Sequence, residues 1–197
     1  MDISDQREYG AVVETFVKRS RRTVAALEKA LTNGNPAENL PPLPSDVVLK
    51  ILDSAEYWCC VEKRCESSIR GQNMNFRIFR FGPIPGQPKR IELRVESHDQ
   101  GWSSYPHDHG TKRGSFTWGE VDVIDGNGRS KLGGRPRVFT NIHADSDWQI
   151  HDVSFDHDQG FMRVLGQGDS VELCLRSMCP LWEIFVRSAR MALYFQQ

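Results

Sequence analysis

The sequence predicts a mainly-β protein, an antiparallel β-sandwich or jelly roll of about eight strands preceded by two N-terminal helices. Three observations carry that expectation. The apolar period falls from 3.6 to 2 at residue 73. The connections GPIPGQPK, DGNGRSKLGGRP, HADSD and GQGD are rich in turn-forming residues. No helical pattern separates the later segments, which argues against a βαβ arrangement.

Residues 7 to 32 read as the first helix. Tyr9, Val12, Val13, Phe16, Val17, Val24, Leu27, Ala30 and Leu31 recur at three- and four-residue spacing, and Asn33-Gly34 closes the run. A proline-containing connection spans Asn35 to Pro44. Ser45 is an N-cap for a second helix from Asp46 to Tyr57, with Val48, Ile51, Leu52 and Ala55 as its apolar stripe. That helix is too short to be stable alone and must pack on something larger. Strands are expected over 74–81, 89–97, 115–124, 136–143, 148–155, 161–165, 170–177 and 187–195. The clearest alternation sets Val171, Leu173 and Leu175 against Glu172, Cys174 and Arg176. The division expected is a helical segment over 1–60, packed on the rest or dimerising it, and a ligand-binding sandwich over 70–197.

Composition narrows the class. A chain of 197 residues buries a real core, and a formal net charge of −1 with 26% charged residues suggests no nucleic-acid partner. No apolar run is long enough to cross a bilayer, and the opening MDISDQREYG is too polar and acidic for a signal peptide. A cytoplasmic protein with no membrane partner is therefore expected. Five cysteines without CxxC spacing read as free, mostly buried thiols. No G-x-S-x-G, P-loop or dinucleotide fingerprint is present, which disfavours standard hydrolases and nucleotide enzymes.

The candidate site is the stretch from Glu92 to Asp122. An alternating strand runs into a loop holding Gln100, Trp102, Tyr105, His107, Asp108 and His109, and a second strand with Phe116 and Trp118 leaves it. Aromatic rings and titratable groups on a loop between strands resemble the rim of a binding site. His107-Asp108-His109 is an H-x-H, but Arg113 and Gly114 occupy the positions where a third ligand would follow. No metal and no cofactor are expected. Farther on, Asn141-Ile142-His143 precedes a strand on which Gln149, His151, Val153 and Phe155 share a face. An imidazole there is either a hydrogen-bonded core residue or a base inside a cavity. Trp58 and Trp182 read as core, whereas Trp102 and Trp118 suit stacking on a flat ligand. Arg163 is either an inward cation or the exposed side of an edge strand.

The pieces LPSDVVLKILDSAEYW (43–58), SHDQGWSS…GTKRGSFTWGEV (97–121), NIHADSDWQIHDVSF (141–155) and GDSVELCLRSMCPLWEIFVRSARM (168–191) resemble a group of filamentous-fungal proteins. In that group a helical segment precedes a β-sandwich of galactose-binding-like appearance. The likeness covers residues 43 to 195 in order. Phe116, Gly119, Phe155 and Leu181 depart from the group's pattern, and the loop gains Tyr105 to His109. Smaller residues at Gly119 and Phe155 would open a pocket, and the added histidines would give it acid–base groups. The resemblance extends to members in meroterpenoid pathways. It implies a cofactor-free enzyme of the hetero-Diels–Alderase type, acting on a hydrophobic polyketide- or terpenoid-like small molecule. Dehydration would give a quinone-methide-like diene, and pericyclic capture would follow. On that reading His107, Asp108, His109 and His151 handle protons. Trp102, Tyr105, Phe116, Trp118 and Phe155 form apolar walls, and Gln100 and Arg163 hold polar substituents. Two rivals stand beside it: a non-catalytic glycan- or small-molecule-binding module, and an F-box-like adaptor docking through 43–58. A homodimer through the N-terminal helices is also expected.

Overall fold

The protein is a computed structural model that describes residues 13–196. Two antiparallel sheets face each other. The six-stranded sheet has the order β1 (Val13–Arg19), β2 (Cys59–Cys65), β10 (Glu183–Gln196), β5 (Gln87–His98), β8 (Gln149–Asp156), with β3 (Ile69–Gln72) pairing the first part of β10. The four-stranded sheet runs β4 (Asn75–Phe81), β9 (Ser170–Ser177), β6 (Thr117–Ile124), β7 (Arg137–Thr140). Two helices, α1 (Arg21–Asn33) and α2 (Ser45–Ser54), are inserted between β1 and β2.

Alternation decides the core. Val171, Leu173 and Leu175 of β9 are completely buried and meet Ile91, Leu93, Ile184 and Met191 from the opposite sheet. Their outward neighbours carry ion pairs, such as Glu172 to Arg77 at 2.9 Å and Asp122 to Arg135 at 2.9 Å. Four of the five cysteines, Cys59, Cys60, Cys65 and Cys174, are buried.

Several elements differ from the sequence reading. Within the expected 7–32 helix, Val13–Arg19 is a strand whose register pairs Val13 with Cys65 and Val17 with Val61. Its run of Val, Thr, Phe and Val satisfies a strand as well as a helix stripe, and β-branching tips the balance. Ser20 then ends the strand and caps α1 by accepting from the Thr23 amide at 3.1 Å. Residues 7–12 of that expected helix lie outside the described residues. Pro44, not Ser45, caps α2, which ends at Ser54. Residues Gly160–Val164 form a 3-10 turn, not a strand: Phe161, Met162 and Leu165 are buried at a spacing no strand can bury on one face. β2 and β3 were not expected, and β10 begins four residues early. Because β1 and β2 belong to the six-stranded sheet, residues 13–60 are not a separate helical unit. Among the described residues no helix is long and apolar enough to cross a membrane.

Candidate functional site at the loop end

Strand direction gathers the candidate loops. β5 ends, β6 begins, β7 ends, β8 begins, β9 ends and β10 begins at the same end of the sandwich. Loops 99–116, 141–148 and 178–182 therefore meet there. They carry exposed apolar side chains, with Trp102 at 54%, Tyr105 at 56% and Leu181 at 61% exposure.

Beneath this rim lies a buried polar layer. Asn141 is its hub: its Nδ2 donates to Thr117 Oγ1 at 3.0 Å, which fixes Oδ1 as the acceptor. Oδ1 accepts from Ser97 Oγ at 2.7 Å and from His151 Nε2 at 2.9 Å. Asp99, also fully buried, accepts from the Gly101 amide at 2.9 Å and the Ala144 amide at 2.8 Å. Its carboxylate thus pins loop 99–116 to loop 141–148. Burial raises the Asp99 pKa, against the pull of those two amides.

His143 is the chemically distinctive member. Its side chain is fully buried in the connection between β7 and β8, with Nε2 2.7 Å from Ser103 Oγ. Ser103 Oγ also accepts from the Tyr105 amide at 2.9 Å. The ring lies 4.9 Å from Trp182 and 5.6 Å from His109. Among the described residues its Nδ1 has no hydrogen-bond partner. Nδ1 and Asp108 Oδ2 both border Gly114, at 3.4 and 2.8 Å from the point where a Cβ would sit. Gly114, at φ +69°, thus lets a carboxylate and an imidazole approach the same stretch of backbone.

The predicted residues separate into three groups. His107, Asp108 and His109 stand at the rim. His107 is exposed, its Nε2 3.4 Å from Asp108 Oδ2, and His109 Nε2 donates to the Ser103 carbonyl at 3.2 Å. Arg113 donates to Asp108 Oδ1 at 2.8 Å and, more than any other neighbour, lowers the Asp108 pKa. Trp102 and Tyr105 share that rim, and Phe116 packs on Trp182 at 5.0 Å.

Gln100 and His151 belong to the framework. Gln100 donates to the Trp102 carbonyl and accepts from the Glu183 amide, so both ends of its amide are engaged. His151 is buried between the sheets, stacked on Phe139 at 4.5 Å and tied to Asn141. Burial pushes its pKa down to about 4. The expected pocket over Gly119 is filled, since a Cβ there would meet Phe139 Cε1 at 2.1 Å.

Trp118, Phe155 and Arg163 lie elsewhere. Trp118 is buried on the outer face of the four-stranded sheet, its indole donating to Glu120 at 3.0 Å and Arg137 stacked over it at 3.7 Å. Phe155 packs on Phe161 near the far end of β8, and Arg163 is exposed in the 3-10 turn with Nε on the Asp158 carbonyl at 2.5 Å. Sequence reasoning passed over Ser103 and Asp99, and it noted Asn141 and His143 without a role. The one available signal was that all four flank strand ends meeting at this face. Among the described residues no group of three or more His, Cys, Asp or Glu side chains is placed to hold a metal ion.

Fold and site together define a two-sheet β protein with a polar cluster at one loop end. No protein-family model and no curated protein matches the chain. Solved structures resemble it distantly. A xylan-binding domain from Paenibacillus barcinonensis is 12% identical, over 70% of this chain and 74% of that one, at a TM-score of 0.35. A family 35 carbohydrate binding module from Clostridium thermocellum is 9% identical over 94% of both chains, at 0.30. The infectious bursal disease virus VP2 subviral particle gives 11% identity and a TM-score of 0.40; 66% of this chain matches, spanning 30% of the viral one.

Proposed function

We propose that the loop end is the active site of a cofactor-independent enzyme acting on a ring-bearing, hydrophobic small molecule. The observation that carries this reading is His143: a buried imidazole held to Ser103 Oγ at 2.7 Å, its Nδ1 without a partner among the described residues, beside half-exposed aromatics. A buried imidazole of this kind is suited to general acid–base work. Trp102 and Tyr105 hold the ring system. An imidazolium at His107, oriented by Asp108, delivers a proton to a departing substrate hydroxyl. Ser103 Oγ, which is partly exposed, takes the proton of a second, phenol-like hydroxyl as it passes its own to His143 Nε2, so one water is lost and a quinone-methide-like diene remains. The rim then holds an alkene against that diene for hetero-Diels–Alder closure, with positioning supplying most of the rate. We read the strand order β2-β10-β5-β8 over β4-β9-β6-β7 as a jelly roll, with this site at one mouth.

Turnover of a tropolone-type alcohol with a polyene tests the reading. His143→Gln is expected to lower the rate by about 10²- to 10⁴-fold, the usual weight of a general acid–base group. His107→Ala should lower kcat, and Trp102→Ala should raise KM. Unchanged rates in all three variants reject the proposal.

A second reading is a glycan-binding module, favoured by the exposure of Trp102 at 54% and Tyr105 at 56%, which leaves their faces free to stack on sugars. Saturable binding on a glycan array, lost in Trp102→Ala and retained in His143→Gln, would support it.

A further inference from the structure

At the opposite end of the sandwich, one flank between the sheets is open. A groove of about 220 Å³ lies there between β2 and the end of β4, lined by Val61, Phe81, Ile84, Leu193 and Phe195. β1 prolongs one wall: Val17 pairs with Val61, so it shares the groove face, and it is 62% exposed.

One cation enters this apolar space. Lys63 pairs with Met191 of β10, whose side chain is core, so Lys63 projects from the inner face of β2. Its Nζ donates to the Arg80 carbonyl at 2.6 Å and lies 5.4 Å from the centre of the Phe81 ring. Among the described residues no carboxylate forms an ion pair with it, and burial lowers its pKa. The guanidinium of Arg80 is turned to the outer face, where it pairs with Glu172 at 3.3 Å. A half-buried ammonium without a counter-charge, inside an apolar groove, is costly in water alone and is relieved by an anion.

We propose that this groove binds a single-chain organic acid, with the tail between the sheets and the carboxylate on Lys63 Nζ. The site is independent of the loop end. Leu193 in the groove wall lies ten positions along β10 from the loop-end residue Glu183, roughly 33 Å at strand rise.

Calorimetric titration of the full chain with decanoate, decanol and decyltrimethylammonium tests the proposal. Decanoate is expected to bind about tenfold tighter than decanol, the weight of one charge-assisted contact. The cationic analogue should bind weaker than either. Lys63→Met should reduce decanoate to the affinity of decanol, and Leu193→Trp, which fills the groove, should abolish binding of both. Equal affinity for decanoate and decanol in the unmodified chain overturns the proposal without any variant. So does an unaltered decanoate affinity in folded Lys63→Met, or the absence of binding.

Discussion

His151 and His143 sit in neighbouring segments, yet their surroundings give them opposite characters. His151 donates its Nε2 proton to Asn141 and stacks on Phe139, and burial holds its pKa near about 4. The unfolded chain titrates near 6.5. As pH falls from about 6.5 to about 4 the unfolded state takes up a proton that the folded state refuses, so stability drops by roughly 3 kcal/mol in all. Urea unfolding across that window should show the loss in the natural chain and a flatter profile in His151→Gln. Asp99 makes a second prediction at this scale. Asp99→Asn puts an NH₂ against one of the two backbone amides and leaves a buried donor unpaired, at a cost of about 1–3 kcal/mol in urea unfolding. The sequence left both roles of His151 open, because the face it shares with Val153 and Phe155 looks the same whether a core or a cavity lies in front of it. What decides is Phe139, which arrives from another strand and which no local pattern places there.

The same limit shows among the elements. β9 was legible to the residue, since strict alternation leaves one possible inner face, and β4, β5 and β8 were close. Residues 13–19 were not, because Val13, Phe16 and Val17 fit a helix stripe and a strand equally. The 160–164 turn was missed because apolar content alone was read as a strand. Gly119 tests the element-level account of the filled pocket. Gly119→Ala brings a methyl into the Phe139 ring and should cost about 1–3 kcal/mol by overpacking, measured as a shift in urea midpoint. Phe139→Leu in that background should recover part of the loss. An unchanged midpoint in Gly119→Ala would mean that the ring has room to move and that the space is a pocket after all.

Across the whole molecule, the candidate groups sit at the edges of the sandwich, and Phe139 fills the space over Gly119 between the sheets. The loop end combines exposed aromatics, a rim of His107, Asp108 and His109, and the buried His143–Ser103 pair. The loop 99–110 was legible as a candidate site because aromatic and titratable residues cluster in sequence there. His143 was not, because its neighbours come from loops 40 residues apart, as its bond to Ser103 shows. Arg163, Trp118 and Phe155 fell away for the converse reason, since local alternation says nothing about which end or face of a sheet a strand occupies. The most direct measurement compares His143→Gln with His151→Gln, both folded, in turnover of a tropolone-type alcohol with a polyene near pH 7. Loss of about 10²-fold or more in the first, with the second retaining its rate, is the predicted result. Equal rates in the two variants would contradict the assignment of proton transfer to His143.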